Sequence, residues 1–325
     1  MKGTCVRGSL AILAVVCVTT VACSSAPPQP EAVPTLAAKV RQLHVQGLKY
    51  LDQGDREGAK AAFEDARVLA GSLDDQVGVA QALNDLGSVS ILDGKTDEAL
   101  ALHRQALTVA ESLHGTTLLI STLTHLGTAL QLSGNAEEAI RLYTRGLELA
   151  REVGDQRSEA VLQNNLGLIY RRKGEVAKAE ASFKTALALN EAVGDSAAQA
   201  ANHLNLGLLA EEAGRLEEAL ERFERSLELD KRVENRQAIA GDLANLARIQ
   251  EKLNRKDQAL SYAQRAYWSY RAIDELPQAL KALQRVLDLS RDQGLQDEVR
   301  QLESELLTLQ ESVSRTERGT EGAKP

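Results

Sequence analysis

Residues 164–189 read NNLGLIYRRKGEVAKAEASFKTALAL, and the small residues in this stretch are regularly placed. Gly167 is followed seven residues later by Gly174, and small side chains return at Ala179 and Ala186. Most of the other residues favour a helix. This arrangement predicts two short helices that pack closely and are joined by a turn, with Gly174 just past the end of the first helix.

The same offsets return every forty residues in both directions along the chain. Four columns of aligned residues are small or turn-forming: one in the first helix, one in the turn and two in the second helix. Over the first six repeats the columns contain Gly47, Gly87, Gly127, Gly167, Gly207 and Ala247; Gly54, Gly94, Gly134, Gly174, Gly214 and Asn254; Ala59, Ala99, Ala139, Ala179, Ala219 and Ala259; and Ala66, Ala106, Gly146, Ala186, Ser226 and Ala266. A fixed period over about seven units predicts a repeat array and not two globular domains. We expect repeats near 37–73, 76–113, 116–153, 156–193, 196–233, 236–272 and 276–310.

Each repeat closes with a short polar turn. These turns are Asp74-Asp75, Gly154-Asp155, Gly194-Asp195 and Glu234-Asn235. The Asp or Asn at the second position is a predicted N-cap, because its side chain can accept a hydrogen bond from the first turn of the next helix.

The full set of columns resembles the tetratricopeptide repeat. A Leu-Gly pair, a glycine seven residues on, an alanine five further and an aromatic four further carry the resemblance; the aromatic residues are Phe63, Tyr143, Phe183 and Phe223. The forty-residue period is similar to that of the kinesin light chain and the Pins-type adaptors. The resemblance covers about Thr35 to Leu309 and implies an all-α fold, a right-handed α-solenoid whose first helices line a concave groove. His103 and Ala263 depart from the aromatic column, and the seventh repeat resembles a terminal cap.

The groove implied by this resemblance contains a row of asparagines. Light-chain-type adaptors hold peptides with such rows, so the resemblance implies an extended peptide bound by Asn165, Asn205 and Asn245, with Asn164 beside them. The alternative is that each amide braces the preceding repeat. Arg171, Arg172 and Arg248, near the ends of the same helices, could meet a carboxylate of the ligand, or could be solvated helix ends.

The stretch YAQRAYWSY at residues 262–270 contains half of the tyrosines and the only tryptophan of the chain. Tyr267 falls in a core column, whereas Trp268 falls in a column that is otherwise solvent-facing. With Tyr270, these residues are a candidate partner site on the outer face, where a second copy could also bind. The alternative is that the final helices, with Leu302, Leu306, Leu307 and Leu309, cover Trp268.

The first 22 residues have the layout of a secretory signal. Lys2 and Arg7 precede an uncharged run that is too short for a comfortable membrane span. The sequence TVACS at residues 20–24 resembles the lipobox of bacterial lipoproteins, which implies cleavage before Cys23 and lipidation of that residue. Ser24 resembles the form that is sorted to the outer membrane. The alternative is an ordinary signal peptide with a chance cysteine.

Both ends of the chain outside the array are rich in polar residues or proline. Residues 23–34 contain four prolines and predict an extended tether. Residues 311–325 are polar and predict a disordered tail. Cys5 and Cys17 would leave with the signal, so that the mature chain would have a single thiol and no internal disulfide.

Composition and motifs disfavour several classes of function. A net charge of −8 without a basic run disfavours nucleic acid as the main partner. The five histidines show no metal-ligand spacing, and no phosphate-binding loop or nucleophile motif is present. We therefore predict no catalysis, no cofactor and no metal.

The sequence predicts a non-catalytic scaffold or assembly adaptor, lipid-anchored at the periplasmic face of the outer membrane, that binds a protein or peptide in its groove. One alternative is a self-assembling structural protein of the envelope. Another is a murein or glycan carrier, which the scarcity of groove aromatics beyond Tyr50 and Tyr170 disfavours. A cytoplasmic regulator would follow if the N-terminal segment were not a signal.

Overall fold

The computed structural model describes residues 35–113 and 115–321, with side chains up to residue 314. Within these ranges the chain is helical, and no strand is present. The described helices are α1 (Leu36–Asp52), α2 (Arg56–Ser72), α3 (Gln76–Leu92), α4 (Thr96–Ser112), α5 (Thr116–Leu132), α6 (Ala136–Val153), α7 (Gln156–Arg172), α8 (Val176–Val193), α9 (Ser196–Glu212), α10 (Leu216–Arg232), α11 (Arg236–Lys252), α12 (Lys256–Ala272), α13 (Leu276–Asp292) and α14 (Gln296–Glu321). The predicted signal, Cys23 and the predicted tether lie outside the described residues.

The helices form antiparallel pairs that repeat at a constant interval. Each odd-numbered helix begins forty residues after the previous one and packs against the helix that follows it. Each pair then packs against the next pair through its second helix. The all-α solenoid of helix-turn-helix repeats is therefore confirmed.

The turns adopt the conformations that their residues predict. The side chains of Asp55, Asp75, Asp155, Asp195 and Asn235 each accept a hydrogen bond from the backbone N–H three residues on, at 2.8–3.2 Å. At the closing turn of a repeat, the left-handed position is Gly194 in one copy, with φ of 72°, and Glu234 in the next, with φ of 55°. A side chain in this conformation costs about 1–2 kcal/mol relative to glycine, because its Cβ approaches the backbone.

The glycine of the first helix makes room for an aromatic ring of the second helix. A Cβ at Gly167 would lie 2.6 Å from the ring of Phe183, and one at Gly207 would lie 2.7 Å from the ring of Phe223. Both rings are fully buried. The sequence assigns the glycine column to close contact between helices. In the structure these glycines pack against the aromatic side chains sixteen residues later, and we call this contact a glycine–ring pair.

The first helices lie on the inner side of the curved array. Over the first five repeats each first helix contacts the next one directly, from α1 and α3 to α7 and α9, and no two second helices make a comparable contact within the described residues. Crowding on one side means that the array bends toward that side. The first helices separate from α9 onward, since α9, α11 and α13 make no comparable contacts with one another in the same part of the structure.

The last helix closes the core and extends beyond it. Leu302, Leu306 and Leu309 of α14 pack in one cluster with Tyr267. The helix continues to Glu321, whereas the sequence predicts a disordered tail from residue 311; residues 322–325 lie outside the described residues. The segment contains no proline to stop a helix that the packed turns before it have already nucleated. None of the helices described by the structure is long and apolar enough to span a membrane.

Candidate functional site

The candidate site is the inner face, which consists of side chains of the first helices that point away from the second helices. One column of this face contains Val45, Asp85, His125, Asn165, Asn205, Asn245 and Arg285. Residues three, four or seven positions away lie on the same side of each helix. The inner face therefore includes Asn165, Asn205, Asn245, Arg172 and Arg248, whereas Asn164 and Arg171 fall outside these offsets.

Over the first four repeats the inner face has exposed apolar side chains beside the polar Asp85, His125 and Asn165. Large apolar side chains there are each about half exposed: Val45, Leu48, Leu92, Leu132 and Val161. Between α9 and α13 the same face has Asn205, Arg248, Lys252 and Arg285 instead. Large exposed apolar side chains thus lie on the face in the first four repeats and are replaced by amide and cationic side chains toward α13.

Two of the predicted ligand-binding asparagines are bonded to each other across a repeat boundary. Asn205 Nδ2 donates to Asn164 Oδ1 at 2.9 Å, and Asn202 Nδ2 donates to the same oxygen at 3.1 Å. Asn190 Nδ2 in turn donates to Asn202 Oδ1 at 2.7 Å. This is the bracing arrangement that the sequence leaves open as the alternative, although the partner is a side chain and not the backbone.

The other two asparagines differ in their surroundings. The half-buried Asn165 side chain makes no hydrogen bond to any described residue, so its amide is available to a ligand. Asn245 Oδ1 accepts from Arg248 Nη2 at 2.8 Å, which leaves its N–H groups available. Of the asparagine column, Asn165 and Asn245 are the better candidates.

The three predicted arginines are held by the neighbouring repeats. Arg171 pairs with Glu212 at 2.9 Å, and the Arg172 guanidinium donates to the carbonyl of Gln131 at 3.3 Å. Arg248 and Lys252 bind the two carboxylate oxygens of Glu211 at 2.9 and 2.8 Å.

Glu211 is the residue that the sequence did not single out in this cluster. Its side chain is only 7% exposed although it is charged. A buried carboxylate of this kind needs its cations, because unpaired charge is costly away from water. Glu211 matches Arg171 of α7 in the forty-residue period, and Arg248 lies three residues before the matching position of α11; these opposite charges on successive helices were the sequence signal that could have identified it.

The first three repeats contain histidines that contact the neighbouring repeats or each other. His44 Nδ1 lies 2.6 Å from a carboxylate oxygen of Asp85, and burial raises the pKa of Asp85 despite the opposing effect of His44. His103 replaces the aromatic ring of the second repeat and stacks on His125 with 5.6 Å between ring centroids. Burial, with a smaller effect of His125, lowers the pKa of His103 to about 3, so that it is a neutral core residue.

Two acidic side chains are buried together between the fifth and sixth repeats. Asp242 of α11 lies beside Asp230 and Ser226 of α10. The side chains of the two aspartates are nearly inaccessible, at 1% and 4% exposure. Burial raises the pKa of both, and together with the charge of Asp230 it raises the pKa of Asp242 to about 8. The pair therefore holds a proton at neutral pH.

The inner face has a cleft where α11, α12 and α13 meet. Its volume is about 220 Å³. Alanines form its base, and the rim is polar; the rim residues are Asn245, Arg248, Tyr270, Gln278, Lys281 and Arg285. Of these, only Asn245, Arg248 and Tyr270 were candidate site residues in the sequence.

The predicted outer-face site does not form as a unit. Tyr267 is 2% exposed and packs in the core, where its hydroxyl donates to Glu305 of α14. Tyr270 lines the inner cleft, so neither tyrosine belongs to the outer face. Trp268 alone remains, 4.8 Å from the Tyr267 ring and 60% exposed. The alternative, that the final helices cover Trp268, is wrong because α14 packs on Tyr267 one position earlier on the helix.

In the part of the chain that the structure describes, no group of three or more His, Cys, Asp or Glu side chains is placed to hold a metal ion. The predicted absence of catalysis remains a prediction.

A family model for the tetratricopeptide repeat matches residues 78–152, 118–192, 158–232 and 196–267. Together these overlapping matches span more than half of the chain. The chain belongs to the tetratricopeptide repeat family. Arrays of this family are scaffolds typical of protein–protein interaction, which agrees with the coarse functional prediction. A sequence search of curated proteins finds no match to the chain.

Several solved structures share this fold. One is a signal transduction ATPase with numerous domains from Pyrococcus horikoshii, which has a tetratricopeptide repeat sensor; the TM-score is 0.68 at 16% identity, and the match covers 86% of this chain but 43% of that chain. BtubC from P. vanneervenii has a TM-score of 0.58 at 19% identity, with 74% and 93% covered. A Rap protein complexed with competence and sporulation factor has a TM-score of 0.60 at 16% identity, with 81% and 78% covered. At these identities the similarity shows the fold alone.

Proposed function

We propose that this tetratricopeptide array is a non-catalytic scaffold that binds an extended segment of a protein partner along its inner face. The observation that carries the proposal is the row of half-exposed apolar side chains on successive first helices, which includes Leu48, Leu92 and Leu132. Leu92 and Leu132 occupy equivalent positions at the ends of α3 and α5, and exposed apolar side chains that are grouped together typically mark sites of interaction. The unbonded amide of Asn165 lies on the same face.

The Rap structure supports the class of function by analogy, because a protein of this fold is complexed there with a factor. The charge pattern supports a partner segment of mixed chemistry. Its apolar part would lie on α1 to α7, and its acidic part would lie toward Arg248 and Arg285.

The proposal is tested by crosslinking the protein in cells and identifying its partners by mass spectrometry. Leu92→Glu with Leu132→Glu should remove the partner, because a charge on the apolar row opposes its burial. Val68→Glu is the matched control: Val68 is also an exposed apolar residue, but it lies on the second helix α2. A partner retained by the double variant would contradict binding on the inner face.

We also propose that Cys23 is lipidated and anchors the array at the periplasmic face of the outer membrane. The lipobox-like sequence at residues 20–24 supports this proposal. Labelling with an alkyne analogue of palmitate should modify the wild-type protein and not the Cys23→Ser variant. Fractionation should then move the variant from the membrane to the soluble fraction. An unlabelled wild-type protein would contradict lipidation.

Self-association is a second candidate, favoured by the exposure of Trp268. It predicts a mass in solution that rises with protein concentration and that Trp268→Ala lowers. A monomeric mass at all concentrations would exclude it.

A further inference from the structure

The sixth repeat lacks the glycine–ring pair of the earlier repeats. In the fourth and fifth repeats, the ring of Phe183 packs against Gly167 and the ring of Phe223 packs against Gly207. The equivalent residues of the sixth repeat are Ala247 and Ala263, also sixteen residues apart. No aromatic ring occupies the position of Ala263, and the inner-face cleft lies there instead.

The base of the cleft is apolar and lies deep in the array. Ala247 and Ala263 are both buried, and Ala266 and Ala282 complete the base. The volume of about 220 Å³ exceeds that of a cavity that binds benzene, which is about 150 Å³. One aromatic side chain therefore fits.

The rim of the cleft is cationic. Arg248, Lys281 and Arg285 surround it, and Lys281 makes no ion pair with any residue that the structure describes. Glu211 pairs with Arg248 and also with Lys252. Glu251 pairs with Arg285 and is about half exposed to solvent. The Nε atom of Arg248 is buried without a hydrogen-bond partner. The rim can therefore accept a carboxylate next to the apolar base.

The separation of the first helices gives a segment access to this cleft. Each first helix from α1 to α7 contacts its successor, whereas α11 contacts neither α9 nor α13 to a comparable extent within the described residues. The place where the inner face is most open is thus also the place where the ring is missing.

We infer that this cleft binds one aromatic side chain of the partner segment, with an adjacent acidic residue of the same segment on the Arg248, Lys281 and Arg285 rim. This inference rests on the proposed function, since it assigns the part of the partner that the sixth repeat recognises. The partner's ring occupies the space that the protein's own ring fills in the earlier repeats.

The test is a selection from a randomised peptide library with the full chain as bait. We expect the enriched peptides to share an aromatic residue within two positions of Asp or Glu. The grafted variant Ala247→Gly with Ala263→Phe restores the pair of the fourth repeat and fills the cleft with the protein's own ring. Its affinity for the enriched peptides should fall about tenfold or more, because the partner's ring can no longer be buried.

A second variant does not depend on repacking the core. Lys281→Gln with Arg285→Gln removes exposed charges from the rim and should weaken binding about threefold to tenfold, with the loss largest for peptides that contain the acidic residue. Arg225→Gln is the matched control, because Arg225 forms an exposed pair with Glu228 on the second helix α10. It should leave the affinity unchanged.

The outcomes separate this inference from the proposed function. Enriched peptides that lack an aromatic residue, or that bind the graft and the rim variant as well as the wild type, would overturn the cleft assignment alone. Loss of binding in Leu92→Glu with Leu132→Glu would still support the scaffold function in that case. No enrichment of any peptide would overturn both.

Discussion

The carboxyl group of Asp242 lies beside that of Asp230 between α10 and α11, at the positions that Asn202 and Asn190 occupy one repeat earlier. The amide pair satisfies itself at 2.7 Å without a net charge. The acidic pair can do so only while it holds a proton, since two buried carboxylates repel each other. Tyr270 of α12 faces the same pair, and burial, with smaller effects of Glu275 and Asp242, raises its pKa.

We predict that the array loses stability as the pH rises from about 4 to about 8. The pKa of Asp242 is raised from 3.8 to about 8, so over this range the native protein holds a proton that the unfolded chain has released. The stabilisation is fully present below pH 3.8 and is lost as the pH passes through about 8. Asp242→Asn should remove this dependence, which is on the order of a few kcal/mol. Urea unfolding followed by circular dichroism over this range measures it.

The preceding repeat offers the matched control for this prediction. Asn190→Asp with Asn202→Asp places two carboxyl groups at the equivalent interface between α8 and α9, and should introduce a second pH dependence of the same sign. If Asp242→Asn keeps the slope of the wild type, the pair is not its source.

Gly167→Ala should destabilise the fourth repeat by about 1–3 kcal/mol, because the new Cβ overlaps the buried ring of Phe183. The change is measured as a lower free energy of unfolding. Gly71→Ala provides the comparison, since a Cβ at Gly71 of α2 would meet no heavy atom within 4 Å. That variant should be neutral or more stable by about 0.5–1 kcal/mol. Equal effects at the two positions would argue against the glycine–ring pair.

Glu234→Gly should stabilise the array by about 1 kcal/mol, because Glu234 adopts the left-handed conformation that glycine adopts without strain. Thermal unfolding should show a higher midpoint. The reverse change, Gly194→Glu at the equivalent turn, should lower the midpoint by a similar amount. A lower midpoint for Glu234→Gly would indicate that its side chain makes contacts worth more than the strain.

Glu211→Gln should destabilise the array by about 1–3 kcal/mol, because Arg248 and Lys252 lose the carboxylate that both of them bind. Glu212→Gln breaks the pair with Arg171 but should cost less than about 1 kcal/mol, since Glu212 is half exposed to solvent. Free energies of unfolding for the two variants, measured in the same buffer, test the difference. Equal losses would mean that the burial of Glu211 adds nothing.

The repeat, the turn residues and the caps could be predicted from the sequence because they depend on local chemistry. A turn glycine such as Gly174 ends a helix through its own backbone, and a cap such as Asp155 bonds a backbone group three residues away. Errors arose where distant packing decides. Tyr267 and Tyr270 are three residues apart on one helix, yet one lies in the core with α14 and the other lines the inner cleft.

The sequence by itself determined that the chain is an array of paired helices and which face of each first helix looks inward, because a forty-residue period imposes the same local geometry on every repeat. Only the tertiary structure decided which inner-face groups remain available. Asn164 and Asn205 bond to each other across forty-one residues, whereas Asn165 next to them bonds to none of the described residues. These differences depend on the side chains of the adjoining repeat. The cleft at Ala263 has the same cause, because the sixth repeat has no aromatic ring at this position and the seventh repeat does not fill the space.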